Sequence, residues 1–365
     1  MTISRGLRRT GALVAVAALT VAACGSDDDG GDAAETADSE AAETADTDAA
    51  DDSATTDAAE AESAEPAEDL ASFTVAVIEP DITTVPLLAA IDSMAEQGYD
   101  VETVELAEPE LAIEGMARGD YAISAESTSP ALIANELGAP VVLIGDVVGN
   151  QWGFYAQDGI ESCDDLDGEP VGIFSEGAVA TAMIRTWVDE NCTTGEPEYL
   201  VIGGSDVRAQ ALQAGEITAT ALELADVASL EAAGTPLGEP LANFREDLPE
   251  LHPQTIYASS DFLGESPDAA QDFIDAVAAQ HAAINADSAY LVGLVEEYLP
   301  DSVSDSLAGT AELYVQGGLF DVTALTPENV QYTIDFFVDA GVIEDGMTAA
   351  DASDLSFSDN ATVDS

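Results

Sequence analysis

Short apolar runs alternate with helically spaced segments along most of this chain, and no other feature constrains its fold as strongly. Residues 73–79 are largely apolar and β-branched, and residues 86–94 have helical spacing after a proline suited to a first helical turn. The alternation continues to residue 147 and restarts at Trp152. It predicts an α/β fold in which mostly parallel sheets carry helices on both faces. Beyond Tyr257 the pattern is helical, so we expect two α/β units and a helical C-terminal region.

The first 24 residues have the order of a bacterial export signal. Three arginines precede an apolar run at residues 11–23, which is shorter than the roughly 20 apolar residues that a membrane-spanning helix needs. Cys24 then ends the sequence VAAC, which resembles a bacterial lipobox. We therefore predict a signal peptide over residues 1–23 and lipid attachment at Cys24. An ordinary signal peptide with an unrelated cysteine is the alternative, and the export route, Sec or twin-arginine, stays open.

The segment after the signal peptide has the composition of a tether. Residues 25–70 contain no aromatic residue and no arginine, and 18 of them are acidic. Such a segment buries too little apolar surface to offset the entropy lost on folding, and its charges repel one another. We predict that residues 24–70 form a lipidated, disordered acidic tether and that the globular part begins at residue 71.

The charge balance excludes several classes of function. The chain of 365 residues has 7 arginines, no lysine and 73 acidic residues, which gives a formal net charge of −66. A Walker-type phosphate loop and a pyridoxal enzyme each need a lysine, and binding to nucleic-acid phosphates needs cationic clusters. We therefore expect no nucleic-acid partner, and we expect membrane attachment through acyl chains rather than through a basic patch.

Four short motifs follow one another at regular positions. They read GYDVE at residues 98–102, ARGDYA at 117–122, IESCDDLDGEPVGI at 160–173 and AQALQAGEITAT at 209–220. Each motif alone is weak, but their order and spacing over residues 72–355 resemble those of the periplasmic solute-binding proteins of ABC importers. The most similar group takes nitrate, sulfonates, taurine and thiamine-precursor pyrimidines. In this chain acids and a proline replace the group's usual lysines in the third motif, and a threonine replaces its usual acid in the fourth.

The resemblance implies a type II periplasmic-binding-protein fold, in which mixed, mostly parallel sheets form two lobes joined by a two-strand hinge. Lobe one would comprise residues 71–151 with 259–365, and lobe two residues 152–258. The resemblance also implies an extracytoplasmic, lipid-anchored, monomeric receptor that uses no cofactor or metal, is not an enzyme, and has a small solute and an ABC permease as partners. Two alternatives stay open: an enzyme on the same scaffold that makes a menaquinone or thiamine intermediate, and a surface interaction protein that transports nothing.

The predicted ligand site lies beyond the carboxyl ends of the strands, where open parallel sheets bind their ligands. The loops at these ends and the first crossing between the lobes supply the candidate residues Glu79, Asp81, Thr83, Glu126, Ser127, Thr128, Trp152, Ser175, Glu176, Gly177, Ser205 and Glu223. For the hydroxyl residues at positions 127, 128, 175 and 205, plain capping of a helix N-terminus is the alternative, and capping does not exclude a contact with the ligand.

The same loops bear on the charge of the ligand. Their carboxylates raise the cost of holding an anion, and Arg208 is the one arginine after residue 71 that lies near the start of a helix beside such a loop. We therefore predict a neutral or cationic organic ligand, such as an amine or a nitrogen heterocycle, with Trp152, Phe154 or Tyr155 as a stacking face. Binding of nitrate or a sulfonate at helix N-termini stays open, because acids are abundant enough for chance to place several near any cleft.

The cysteines and histidines give no catalytic or metal motif. Cys163 and Cys192 remain after lipidation, fall at the same edge of lobe two and are predicted to form a disulfide, with two buried thiols as the alternative. His252 and His281 lie far apart without a cysteine or histidine at metal-ligand spacing.

Overall fold

The computed structural model of the protein describes residues 70–363. The predicted signal peptide, Cys24 and the predicted tether up to residue 69 lie outside the described residues. Between residues 70 and 363, no helix combines the length and the apolar character that crossing a membrane requires.

The described residues form nine strands in two sheets. The strands are β1 (Ser72–Ile78), β2 (Asp100–Leu106), β3 (Ile123–Ser127), β4 (Val141–Val148), β5 (Gly153–Ala156), β6 (Pro170–Ile173), β7 (Glu198–Val201), β8 (Ala219–Leu222) and β9 (Gln254–Ser259). The first sheet has the order β2-β1-β3-β9-β4, and the second has the order β5-β8-β6-β7. In the first sheet β9 is antiparallel to β3 and β4, and in the second β5 is antiparallel to β8. The other strands of each sheet run in one direction, so both sheets are mixed and mostly parallel.

The strands are connected and covered by helices. In chain order these are α1 (Val85–Gln97), α2 (Pro109–Arg118), α3 (Thr128–Glu136), α4 (Val179–Asn191), α5 (Ser205–Ala214), α6 (Leu224–Ala232), α7 (Phe244–Asp247), α8 (Ser260–Glu265), α9 (Pro267–Ala286), α10 (Ser288–Tyr298), α11 (Leu307–Gly317), α12 (Pro327–Asp339), α13 (Ala349–Ala352) and α14 (Ser356–Asp359). Proline occupies the first turn of α1, α2, α9 and α12, where its missing N–H would have no partner within the helix. Gly98 ends α1 with φ 103°, a left-handed conformation that glycine adopts at little cost.

The chain crosses between the two sheets twice. It leaves the first sheet after β4, through residues 149–152, and returns to it with β9. The second crossing therefore precedes Gln254, whereas the sequence places it near Tyr257. Tyr257 lies inside β9 and pairs with both β3 and β4, so residues 254–258 belong to the first sheet and not to lobe two. Strand pairing decides which sheet a segment joins, and hydropathy does not record that pairing.

Two apolar cores stabilise this arrangement. One lies between the first sheet and the helices packed on it, and includes Phe73 of β1 and Phe273 of α9. The other contains residues of both sheets, with Leu143 of β4, Phe154 of β5 and Phe337 of α12. Because buried apolar contacts continue from one sheet to the other, their burial favours the observed juxtaposition of the two sheets.

Candidate functional site

A cavity of about 520 Å³ lies between the two sheets. The loop after β1 and the end of β3 line it from the first sheet, and the starts of α5 and α6 line it from the second. Side chains of α10 and α11, among them Val295 and Leu307, line it from the C-terminal helices. The cavity therefore lies at the carboxyl ends of parallel strands, where the alternation of strands and helices predicts a ligand site.

The cavity brings together seven of the candidate residues. These are Glu79, Asp81, Thr83, Glu126, Trp152, Ser205 and Glu223. They come from both sheets and from the first crossing between them, so segments that are up to 144 positions apart in the sequence meet at one site.

The other five candidates, Ser127, Thr128, Ser175, Glu176 and Gly177, lie outside the cavity lining. The side chain of Ser127 does not cap its own helix, but accepts a hydrogen bond from the N–H of Val179 at 2.9 Å. Ser175 donates to the carboxylate of Glu110 at 2.8 Å, and the carbonyl of Gly177 accepts from Ser129 at 2.5 Å. These three contacts join α2 and α3 to the loop after β6, so these residues connect the two sheets.

Thr128 and Glu176 have other partners. Thr128 donates to the carbonyl of His252 at 2.7 Å, next to the second crossing. Glu176 is exposed and forms an ion pair with Arg185 at 2.6 Å. Neither contact places a polar group in the cavity.

The loop after β1 has an unusual backbone. Glu79 has φ 35°, the one positive φ of a non-glycine residue among the described residues. The carboxylate of Glu79 lies against Gly204 of the second sheet, where an added Cβ would be 2.9 Å from Oε2. Non-glycine residues adopt this conformation at a cost of roughly 1–3 kcal/mol, and such strain is concentrated at functional sites.

Asp81 is held by the first turn of α1. Its Oδ1 accepts hydrogen bonds from the backbone N–H groups of Thr83 and Thr84, at 2.8 and 3.2 Å, and from both threonine hydroxyls, at 2.7 and 3.2 Å. These four donors fix the carboxylate at a helix N-terminus, where negative charge is stabilised.

Arg208 is the one cation among the residues that line the cavity, and it is hydrogen-bonded to the protein. Its guanidinium donates to the carbonyls of Gly203 and Ala221 and to the hydroxyl of Thr220. Its charge lies 5.7 Å from the ring centroid of Trp152 and 5.9 Å from that of Phe174. The residue is 1% exposed, so it forms part of the wall, and each of its three nitrogens donates to a group of the protein.

Acidic residues dominate the lining. The carboxylates belong to Glu79, Asp81, Glu126, Asp206, Glu223 and Asp226. Burial, and then the nearby Asp81, raise the pKa of Glu126 to about 8 and that of Glu223 well above its usual range. Burial also raises the pKa of Asp226 to about 6. These shifts have one physical cause, because enclosed carboxyls with too little compensating positive charge favour the protonated form.

A chain of polar side chains lies behind Glu126. The hydroxyl of Tyr314 donates to the amide oxygen of Gln151, and the Gln151 amide nitrogen donates to Gln254 at 3.1 Å. Gln254 in turn lies near Glu126 and lowers the pKa of that carboxyl, against the larger effect of burial. Gln151 and Gln254 lie on the two crossings, so this chain connects the cavity to both segments that join the sheets.

Sequence reasoning missed several lining residues. Asp206 and Asp226 lie in the first turns of α5 and α6, one to three positions after candidates that were named, so extending each candidate loop into the next helix would have included them. Of the predicted stacking residues, Trp152 lines the cavity, whereas Phe154 packs on Trp187 and Phe244. Tyr155 does not line the cavity either, and Phe174 supplies the second aromatic face.

Cys163 and Cys192 are joined by a disulfide, with their Cα atoms 4.8 Å apart. Cys163 lies in the 3-10 turn before β6, and Cys192 follows α4. Both are in the part of the chain that carries the second sheet, so the bond braces that part and takes no part in the cavity.

Comparison with known proteins places the chain in a family. The NMT1/THI5-like family model matches residues 93–287, which is more than half of the chain. The chain belongs to this family. None of the curated proteins compared with the chain matches its sequence.

Solved structures confirm the predicted periplasmic-binding-protein fold for this NMT1/THI5-like chain. A ligand-binding component of an ABC-type import system from Staphylococcus aureus, with zinc bound, has a TM-score of 0.66 at 15% identity, covering 80% of this chain and 99% of its own. The alkanesulfonate-binding protein of Xanthomonas axonopodis pv. citri, bound to MOPS, has a TM-score of 0.62 at 16% identity, covering 80% and 100%. The periplasmic nitrate-binding protein of Synechocystis PCC 6803 has a TM-score of 0.62 at 13% identity, covering 80% and 86%.

Proposed function

We propose that this protein is the extracytoplasmic substrate-binding component of an ABC importer, and that its solute is a small organic molecule bearing positive charge. Membership of the NMT1/THI5-like family and the fold shared with solute-binding proteins support the receptor role. The observation that supports a positively charged solute is the lining of the cavity, where six acidic residues accompany one buried arginine that donates to groups of the protein.

An anion is disfavoured on energetic grounds. The alkanesulfonate-binding and nitrate-binding neighbours are named for anions. In this chain the cavity already lacks compensating positive charge, since burial and nearby carboxylates raise the pKa of Glu126 and of Glu223. An anion would add to that excess of negative charge in a partly dehydrated site, where charges of like sign repel more strongly than in water. An organic cation would offset the same repulsion, and Trp152 and Phe174 offer it aromatic faces.

The family and the solved neighbours, which are binding proteins, support binding rather than catalysis. Between residues 70 and 363, no three histidine, cysteine, aspartate or glutamate side chains are placed to hold a metal ion together. The lining offers carboxyls and hydroxyls, and it contains no histidine or cysteine. An enzyme on the same scaffold is the competing function, and incubation of the purified protein with its solute, followed by mass spectrometry for products, separates the two.

We also propose that Cys24 is lipidated after removal of residues 1–23 and that residues 24–70 tether the receptor to the membrane. The lipobox-like sequence VAAC supports the anchor, and the acidic composition supports the tether. Expression of the Cys24→Ser variant in the native host is the test. The wild-type chain should fractionate with membranes and carry acyl chains by mass spectrometry, and the variant should lose both.

Native mass spectrometry of the protein purified from its own host tests the proposed solute. We expect a bound small molecule that carries a basic nitrogen, and we expect its loss on mild denaturation. The same molecule should raise the melting temperature when added back, because a ligand that binds only the folded state stabilises it by a few kcal/mol, roughly, at large excess over its dissociation constant. A co-purified sulfonate or nitrate would contradict the proposed charge.

A further inference from the structure

Three hydrogen bonds join the two sheets beside the cavity. In each bond one partner lies on β3, α2 or α3, which belong with the first sheet, and the other lies between β6 of the second sheet and the start of α4. The bonded pairs are Ser127 with Val179 at 2.9 Å, Ser129 with Gly177 at 2.5 Å and Glu110 with Ser175 at 2.8 Å. Every partner is a group of the protein, so these bonds require no solute.

The three bonds lie directly behind the wall of the cavity. Glu126 and Phe174 line the cavity, one from each sheet, and the residue that follows each of them is a serine of these bonds. Separation of the two sheets at this place would therefore also move Glu126 away from Phe174 and open the cavity between them.

The contact between the sheets is closely packed here. Ser127, Ser129 and Val179 are between 0% and 2% exposed. Gly177 approaches α2 so closely that an added Cβ would lie 3.0 Å from Oε1 of Glu110. These groups are thus largely shielded from water, which would otherwise compete for the same donors and acceptors.

Apolar side chains pack beside the same bonds. Ile78 of β1 and Ala112 of α2 belong to one buried cluster with Phe174 and Ala178, which lie between β6 and α4. Separation of the two sheets would expose this apolar surface to water, which is unfavourable. The hydrogen bonds and the apolar cluster therefore favour the same closed arrangement of the sheets.

The amide of Val179 reports on this contact. Val179 is the first residue of α4, and the first N–H groups of a helix have no acceptor within the helix. Its N–H donates instead to the hydroxyl of Ser127, at the end of β3 in the first sheet. The protection of this amide from exchange with solvent therefore depends on contact between the two sheets.

We propose that the three hydrogen bonds and the apolar cluster beside them form a latch, which holds the two sheets together before any solute binds. This inference goes beyond the proposed function, which names a receptor and its solute but not the state of the receptor before binding. A ligand shifts a conformational equilibrium only by the difference between its affinities for the two states. Because the latch already favours the closed state, the solute adds little to closure, and closure of the sheets does not by itself signal that the cavity is occupied.

Hydrogen exchange of the Val179 amide, followed by NMR, tests the latch in the wild type. The full chain is unfolded in urea, dialysed and refolded before the measurement, which removes any solute from the host. We expect this amide to exchange at least about tenfold more slowly than the same amide in an unfolded chain, since three hydrogen bonds oppose opening. Exchange at the rate of an unprotected amide would overturn the proposal.

A double variant, Ser129→Ala with Ser175→Ala, tests whether the other two bonds of the latch protect this amide. It removes both of those bonds and keeps the Val179 N–H together with its acceptor Ser127. We expect exchange of the Val179 amide to become at least about fivefold faster, because loss of the two bonds favours the open state. An unchanged rate would show that these bonds do not hold the sheets together, and would overturn the latch.

Two controls separate opening between the sheets from unfolding. Ser72→Ala removes one serine hydrogen bond inside the first sheet, to Asp100 at 3.1 Å, and should leave exchange at Val179 unchanged. Amides of β9, the strand between β3 and β4, exchange when the first sheet itself opens, and should keep their rates in both variants. Equal acceleration at β9 and at Val179 in the double variant would assign the effect to unfolding and contradict the latch. A refuted latch leaves the proposed receptor standing, because native mass spectrometry tests the solute separately.

Discussion

Glu126 should make the stability of the protein fall as the pH rises from 5 to 8. Burial and Asp81 raise its pKa from 4.5 to about 8 in the folded chain. A carboxyl with a raised pKa binds more protons in the folded chain than in the unfolded chain. Its contribution to the free energy of unfolding is therefore complete below about pH 4.5 and is lost as the pH rises through about 8.

The size of this loss of unfolding free energy follows from the raised pKa of Glu126. Each pH unit within the window costs about 1.4 kcal/mol. Over pH 5 to 8, and after allowing for the part of Glu126 that water reaches, we expect a loss of about 2–3 kcal/mol. For a domain of this size such a change lowers the melting temperature by roughly 3–5 °C. Glu126→Gln removes the titrating group, so this part of the pH dependence should disappear.

Urea unfolding at pH 5, 6, 7 and 8 and constant ionic strength measures the effect. The informative quantity is the difference in unfolding free energy between the wild type and Glu126→Gln at each pH, because other carboxyls of the cavity titrate in both proteins. Glu176→Gln is the matched control, since it makes the same substitution at an exposed site. If the wild type and Glu126→Gln differ by a constant amount at all four pH values, the buried-carboxyl account of the cavity is refuted.

Two further predictions concern stability. Replacing Cys163 and Cys192 together by serine should cost about 3 kcal/mol of unfolding free energy, because the disulfide spans a sequence separation of 29 residues. Reduction of the disulfide in the wild type should cause the same loss. An unchanged urea midpoint after either treatment would contradict this prediction. Arg208→Met should cost about 3 kcal/mol or more, because it leaves buried carbonyls without their donor. The same substitution at the exposed Arg118 should leave the urea midpoint nearly unchanged, and similar urea midpoints for the two variants would show that Arg208 has no structural role.

Much of the candidate site could be predicted from the sequence, because the position of ligands beyond the carboxyl ends of parallel strands is a geometric rule. Carboxyl ends of parallel strands meet at one edge of a sheet, so residues at the ends of β1 and β3 had to lie near one another. The resemblance to two-lobed solute-binding proteins placed the end of β8, in the second sheet, across the cleft from them. Glu79, Glu126 and Glu223 line the cavity for this reason. The rule identifies loops but not the directions of side chains. Ser127 and Ser175 occupy such loops, yet they connect the two sheets by hydrogen bonds.

The alternation of apolar runs and helical segments by itself determined the α/β class, because a half-buried helix and a buried strand each need their own spacing of apolar residues. The acidic composition likewise determined that carboxylates would surround any cleft. Only the tertiary structure decided that β9 returns to the first sheet before Tyr257, that α10 and α11 cover the cavity, and that Arg208 turns its donors into the wall. These outcomes depend on the pairing and packing of distant segments, whose free energy is a property of the whole fold and leaves no local period in the sequence.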